Sequence, residues 1–216
     1  MKRLLLLLCL VFSINQVSAS NVDNLSAEQA LEKLKAGNNN YVVQKLKHPN
    51  LTAQRRAEMK TGQHPFATVL SCSDSRVPAE IIFDQGLGDI FVIRNAGNVI
   101  DDAVLASMEY AVYHLGTKLV VIMGHQNCGA VAASMSNNKE THYIESSIKS
   151  PIKHSVKKCE KEHKLTADNV TVENLNHDID LISQKDAKLA KYMKEHNVKV
   201  VKAYYSIDTG KVTFLD

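Results

Sequence analysis

The stretch KLVVIMGHQNC, residues 118–128, is the most informative for the fold class of this chain. It joins an apolar run of strand length to a histidine and a cysteine, two residue types that bind metals. Its apolar part, residues 119–123, is continuous rather than alternating, which is typical of a strand buried on both faces of a parallel sheet. His125 stands at the carboxyl end of this strand, and Cys128 opens a helical pattern. We therefore predict an α/β domain whose reactive residues lie where parallel strands end.

Two further apolar runs of strand length precede this stretch, at residues 66–70 and 89–94. The first delivers CSDSR, residues 72–76, at its carboxyl end. An amphipathic helix over residues 101–115 separates the second run from residues 118–123. This alternation of strand and helix predicts a central, mainly parallel β-sheet flanked by helices.

The remaining patterns complete one domain. Ser26 is the predicted cap of an early helix. Polar helical patterns fill residues 143–197, with a predicted interruption at Pro151. Residues 198–207 and 212–215 read as a closing hairpin around the turn Asp208-Thr209-Gly210-Lys211. At 216 residues the chain has room for one substantial core.

Cys72, His125 and Cys128 form the ligand set expected of zinc, which prefers sulfur and nitrogen donors in a tetrahedron. Two alternatives remain at this point: a pair of buried cysteines beside a core histidine, or a disulfide between Cys72 and Cys128. A disulfide would not explain why Asp74, Arg76 and His125 lie beside the two cysteines in the motifs. A charged pair beside the first thiol favours a catalytic site over a purely structural one.

Asp74 has two predicted roles at such a site. It could take the fourth metal position itself, which would close the site, or it could accept a hydrogen bond from metal-bound water. Arg76, two residues along, could decide between these roles because a bidentate guanidinium partner would hold the carboxylate off the metal and keep it ionised.

The motifs CSDSRVP (residues 72–78) and GHQNCG (residues 124–129) resemble the zinc signature of β-class carbonic anhydrases. The resemblance extends over residues 89–98, 109–115 and 204–211, and so covers most of the chain. It implies a β-carbonic anhydrase-like fold and one Zn²⁺ per chain, held by Cys72, His125 and Cys128, with Asp74 as a ligand only in a closed form. The implied activity is reversible hydration of carbon dioxide to bicarbonate and a proton by zinc-bound hydroxide, with Asp74 and Arg76 as the catalytic dyad.

The same resemblance implies which residues meet the substrate: Gln63, Phe91, Ala96, Tyr110 and Gly129. It also implies an obligate homodimer or a homotetramer with the active site at the subunit interface. One subgroup of the family, inhibited cooperatively by bicarbonate, has tryptophan where this chain has Val69. The sequence contains no Trp, so it resembles the open, non-cooperative, plant-like subgroup.

Two rival functions share these residues. A hydrolase of carbon disulfide or carbonyl sulfide on the same scaffold would need the same residues around the metal. A non-catalytic zinc-binding scaffold protein would not need the Asp74 and Arg76 pair, and the presence of both residues speaks against it.

The first 19 residues have the basic start, short apolar run and small-residue end of a secretory signal peptide. We expect cleavage after Ala19, a catalytic domain over residues 20–216, and export to the periplasm or the exterior. Without the leader the chain is nearly neutral, so composition predicts no nucleic-acid partner and no membrane partner. Of the three cysteines that remain, Cys159 is expected to be a spare thiol in a charged helix.

Overall fold

The structure, a computed structural model, describes residues 25–136 and 142–215. Within these residues one sheet is formed by β1 (Ala67–Cys72), β2 (Ile90–Asn95), β3 (Leu119–His125), β4 (Lys199–Tyr205) and β5 (Val212–Leu215). The strand order is β2-β1-β3-β4-β5, in which the first four strands are parallel and β5 is antiparallel to β4. The prediction of a mainly parallel α/β sheet is confirmed.

Helices cover both faces of this sheet. In chain order the described helices are α1 (Ala27–Val42), α2 (Ala53–Glu58), α3 (Ala79–Ile82), α4 (Asp102–Glu109), α5 (Gly129–Met135), α6 (His142–Ile144), α7 (Ser150–Lys161), α8 (Ala167–Lys185) and α9 (Ala187–Glu195). Single 3₁₀ turns lie at Met59–Thr61 and Ala96–Asn98, and π turns lie at Tyr110–His114 and Glu145–Lys149.

Local signals explain two helix starts. Ser26 caps α1 as predicted, because its side chain accepts from Gln29 N and the Gln29 side chain accepts from Ser26 N. The predicted interruption at Pro151 is wrong. Pro151 lies in the first turn of α7, and the helical path from the preceding π turn continues through it.

The core lies on both faces of the sheet. Every residue of β1 and β3 is buried, as the continuous apolar runs predict. Val69, Val121 and Met123 pack against α1 and α3 on one face, and Leu70, Val120 and Ile122 pack against α4 and α8 on the other. This burial fixes the two central strands, and therefore fixes what projects beyond their carboxyl ends.

The described helices and the predicted leader bear on how the protein relates to membranes. Across residues 25–136 and 142–215, every helix is too short or too polar to cross a membrane. The predicted leader, residues 1–19, lies outside the described residues.

Candidate metal centre

Cys72, His125 and Cys128 meet at the carboxyl edge of the sheet. Cys72 is the last residue of β1, His125 is the last residue of β3, and Cys128 is the N-cap of α5. Because β1 and β3 are neighbouring parallel strands, their final side chains emerge at the same edge. All three residues are buried, and their ligand atoms lie within 4.8 Å of one another.

The spacing of the two sulfurs distinguishes a metal site from a disulfide. Cys72 Sγ and Cys128 Sγ are 3.9 Å apart, and both cysteines are free. Two sulfurs bound to one tetrahedral zinc at about 2.3 Å would be separated by about 3.8 Å, whereas a disulfide requires about 2.05 Å. The geometry therefore fits a shared metal ion.

His125 presents one ring nitrogen to the two sulfurs. Its Nδ1 lies 2.9 Å from the carbonyl oxygen of Gln126, and because a carbonyl only accepts, Nδ1 carries the proton. Nε2 is buried without a hydrogen-bond partner. This is the state expected of a metal-binding imidazole: Nδ1 is fixed by a neighbouring carbonyl, and the unprotonated Nε2 lies beside two thiols with no hydrogen-bond donor.

The loop that follows His125 is tied to the end of the β4–β5 hairpin. The Gln126 side chain donates to Asp208 Oδ2 at 2.6 Å and accepts from Asp208 N at 3.1 Å. The Ser206 hydroxyl also donates to Gln126 Oε1, at 3.3 Å. These contacts hold Gln126 O, and through it the orientation of the imidazole.

Backbone donors and the second thiol favour a thiolate at Cys72. The hydrogen bond with the Cys128 thiol, together with His125 and the N–H groups of Gly97 and Asp74, lowers the pKa of Cys72 to about 4. Gly97 N and Asp74 N lie 3.3 and 3.4 Å from Cys72 Sγ. The same thiol–thiol contact and burial raise the pKa of Cys128. The two sulfurs thus share one proton, which a cation could replace.

Asp74 and Arg76 form a bidentate pair beside this cluster. Arg76 Nε donates to Asp74 Oδ1 at 2.9 Å, and Arg76 Nη2 donates to Asp74 Oδ2 at 2.7 Å. These hydrogen bonds hold the pKa of Asp74 well below its usual range, so the carboxylate is ionised. Its Oδ2 lies 3.9 Å from His125 Nε2, which places the pair at the edge of the cluster.

Arg94 and Gly97 contribute contacts that the sequence analysis missed. Arg94 donates to the carbonyl oxygens of Cys72 and Asp74 at 3.1 and 2.8 Å, and so clamps the loop after β1. Gly97 has a φ of +75°, which favours glycine, and aims its N–H at Cys72 Sγ. The sequence offered one signal for Arg94: it is a charged residue at the end of an apolar strand.

A buried carboxyl lies behind Gly97. Asp178 of α8 accepts from Asn174 Nδ2 at 3.0 Å and from Asn98 Nδ2 at 3.4 Å, both at Oδ2. Burial raises the pKa of Asp178 well above its usual value. This network joins α8 to the 3₁₀ turn that carries Gly97.

The predicted substrate residues fall into two groups. Ala96 follows β2 directly beside Gly97, and Gly129 follows Cys128, with open space where a Cβ would stand. Gln63 and Tyr110 instead line a separate groove, and the rings of Tyr110 and Phe91 are 6.0 Å apart. The structure therefore brings two of the five to the metal cluster and leaves three together elsewhere.

The third cysteine is a free thiol outside the ligand cluster. Cys159 lies in α7 as expected, and it is buried. It packs in the same apolar cluster as Val131, Ile152 and Val170.

Comparisons with known proteins agree with this geometry. A family model described as carbonic anhydrase matches residues 67–212. Carbonic anhydrase 2 of Mycobacterium tuberculosis is 50% identical over 113 residues, which cover 52% of this chain and 55% of the relative. A carbonic anhydrase of Mycolicibacterium smegmatis is 51% identical over the same length and shares. The chain thus spans about half the length of the curated relatives it matches.

Solved structures extend the likeness over most of the chain. A β-carbonic anhydrase of Aspergillus fumigatus is 31% identical with a TM-score of 0.68, covering 84% of this chain and 88% of its own. A tetrameric β-carbonic anhydrase of Sordaria macrospora is 25% identical with a TM-score of 0.69, covering 83% and 93%. The family match takes in the four parallel strands and all three residues of the candidate metal cluster, and the chain belongs to the β-class carbonic anhydrase family.

Proposed function

We propose that this protein is a zinc-dependent carbonic anhydrase that interconverts carbon dioxide with bicarbonate and a proton. The observation that carries the proposal is the buried Cys72, His125 and Cys128 cluster with an ionised Asp74 held beside it by Arg76. The names of its relatives support the same activity.

The donor set fits zinc. Two thiols and an imidazole nitrogen with no other partner supply three ligands of the preferred kinds. Three protein ligands leave a fourth tetrahedral position for water. Zinc held by the three residues would lower the pKa of that water and so supply a nucleophile near neutral pH. Two thiolates balance the charge of the ion.

Asp74 would orient the proton of that water. Because its carboxylate is ionised, it can only accept a hydrogen bond, and Oδ2 is the oxygen nearer to the imidazole. Arg76 uses both carboxylate oxygens, so Asp74 is not available as a fourth ligand while the pair is intact. This pairing supports the open arrangement of the site.

Substrate binding would combine surfaces of two chains. Phe91 lies opposite Thr68 in the sheet, and Cys72 lies opposite Asn95. Phe91 is therefore four residues, or about 13 Å, from Cys72 along the strands. Gln63 and Tyr110 are exposed on the side of Phe91. We propose a homodimer, or a homotetramer built from dimers, in which these three residues face the metal cluster of the partner.

The proposed subgroup is the non-cooperative one. Val69, at the position of the tryptophan in the bicarbonate-inhibited subgroup, is fully buried in the core. Because Val69 replaces that tryptophan, we expect bicarbonate to inhibit without cooperativity. Steep, sigmoidal inhibition in a steady-state assay would overturn this assignment and leave the enzyme class intact.

Export of the protein is a separate proposal, supported by the signal-like residues 1–19. Intact-mass analysis of protein from the native host should show loss of these residues. A protein still beginning at Met1 would contradict it.

The proposed activity is tested by stopped-flow carbon dioxide hydration alongside metal analysis. We expect one zinc per chain, a hydration rate that scales with zinc content, and loss and recovery of the rate when zinc is removed and restored. The same preparation is assayed with carbon disulfide and carbonyl sulfide. Full zinc occupancy without carbon dioxide hydration would contradict the proposal, and turnover of the sulfur compounds alone would favour the rival hydrolase.

A further inference from the structure

The first turn of α8 lies against the end of β3. A Cβ at Gly124 would stand 2.5 Å from Thr171 Cγ2, so only a glycine allows the helix to approach this closely. Thr171 is buried, and Asp168 lies three residues before it, about one helical turn away. The contact therefore places Asp168 beside the loop that joins His125 to Cys128.

Asp168 fixes the middle of that loop. Its Oδ1 accepts from Asn127 N at 2.9 Å. Asn127 has a φ of +52°, in the left-handed region that costs free energy for most residues and that Asn tolerates. Burial and the hydrogen bond with Asp168 raise the pKa of Tyr204, so the Tyr204 hydroxyl stays protonated and can donate to the same carboxylate.

The other side of Asn127 faces the catalytic pair. Arg76 Nη2 donates to Asn127 O at 3.3 Å, and the same nitrogen donates to Asp74 Oδ2 at 2.7 Å. A continuous series of hydrogen bonds thus runs from Asp168 through Asn127 and Arg76 to Asp74. Its two ends come from α8 and from the loop after β1.

We propose that Asp168 is a positioning residue that holds the Asn127 carbonyl against Arg76 and so keeps Asp74 paired with the guanidinium, off the metal. Without Asp168 the left-handed backbone at Asn127 loses the hydrogen bond that holds it, and its carbonyl can turn away from Arg76. Arg76 then loses one acceptor, and Asp74 is freer to close the fourth position. This inference rests on the proposed function, because it assumes a metal at Cys72, His125 and Cys128.

Azide binding to the cobalt-loaded protein tests the inference without any turnover. Azide needs an open metal position, and its binding changes the visible absorption of Co²⁺. We expect Asp168→Ala to weaken azide binding about 10-fold or more, the scale of losses when groups behind metal ligands are removed. Asp168→Asn should stay close to wild type, because its side-chain oxygen can accept the same N–H.

Two controls separate positioning from general damage. Glu173→Ala removes another α8 carboxylate, one paired with Lys158 at 2.8 Å, and should leave azide affinity unchanged. In an Arg76→Ala background, Asp168→Ala should have no further effect, because the two act in series.

Two results would overturn the inference: wild-type azide affinity in folded, cobalt-loaded Asp168→Ala, or an undiminished effect of that change in the Arg76→Ala background. Cobalt-loaded wild type that binds no azide would overturn the proposed function as well. The two failures are therefore distinguishable.

Discussion

The metal half and the substrate half of the candidate site are built differently. Cys72 and His125 are buried at the ends of two adjacent strands, Cys128 is buried at the N-cap of α5, and neighbours within the same chain hold them. Phe91 lies about 13 Å from Cys72 along the strands, and the exposed Gln63 and Tyr110 line a separate groove. One half is complete in a single chain, and the other lies apart from it.

This difference separates two requirements for activity. The metal half needs only a folded chain, because burial and hydrogen bonds within that chain orient every ligand. In the proposed dimer the substrate half would act on the metal cluster of a second chain. Metal binding and catalysis should therefore respond differently to substitutions in the two halves.

The largest effect is expected from Cys128→Ser. Loss of a thiolate opens the tetrahedron, so both zinc and hydration activity should be lost together. Cys159→Ser is the matched control: this thiol is also buried, but it stands outside the ligand cluster, so its replacement should cost some stability and no zinc. Metal analysis by mass spectrometry measures the zinc content of both variants. Full zinc occupancy in Cys128→Ser would contradict the ligand assignment.

A smaller loss is expected when the charged pair is broken while the metal stays. Arg76→Ala should free Asp74 to take the fourth position, so activity collapses with zinc retained. Asp74→Ala should keep zinc and an open position but lose roughly 10²-fold or more in hydration rate, the scale that positioned acid–base groups supply. Near wild-type rates in both variants, measured by stopped flow, would show that the pair is only structural.

The smallest effect concerns stability and pH. Because the folded pKa of Asp178 is raised, the folded state resists its ionisation, and stability falls as pH rises from the unfolded value near 4 toward the folded one. Asp178→Asn removes this cost and should raise the melting temperature by about 2–4 °C at pH 7.5 if it gains about 1 kcal/mol. The gain should shrink at pH 4.5.

Asp180→Asn serves as the control for this change, since Asp180 is exposed on the same helix and should melt like wild type at both pH values. A gain for Asp178→Asn that is equal at pH 4.5 and pH 7.5 would show that ionisation of Asp178 is not its cause.

The sequence allowed the sheet and the metal cluster to be predicted for one physical reason. Continuous apolar runs mark strands buried on both faces, and parallel strands end at one edge, so Cys72 and His125 were expected at the same edge. They meet there because β1 and β3 are neighbours. The helix boundary at Pro151 was predicted wrongly, because proline both ends helices and opens them, and the pattern alone does not distinguish the two positions.

The contacts that complete the site were outside the reach of sequence patterns. Arg94 and Asp168 bind backbone groups of residues far along the chain, and Gly97 donates its own N–H to the distant Cys72 sulfur. Such pairings depend on how the elements of the fold pack together. The burial of Cys159 was missed for a related reason: its charged neighbours occupy the exposed face of α7, whereas Cys159 itself faces the core.

Mixed oligomers test the division between the two halves most directly. One chain carries Cys128→Ser and lacks the metal half, and the other carries Gln63→Ala with Tyr110→Ala and lacks the substrate half. If each active site joins the metal half of one chain to the substrate half of its partner, random mixed dimers should recover about a quarter of wild-type hydration activity, since half are mixed and each has one intact site. No recovery in mixed dimers that have formed and carry zinc would contradict the account.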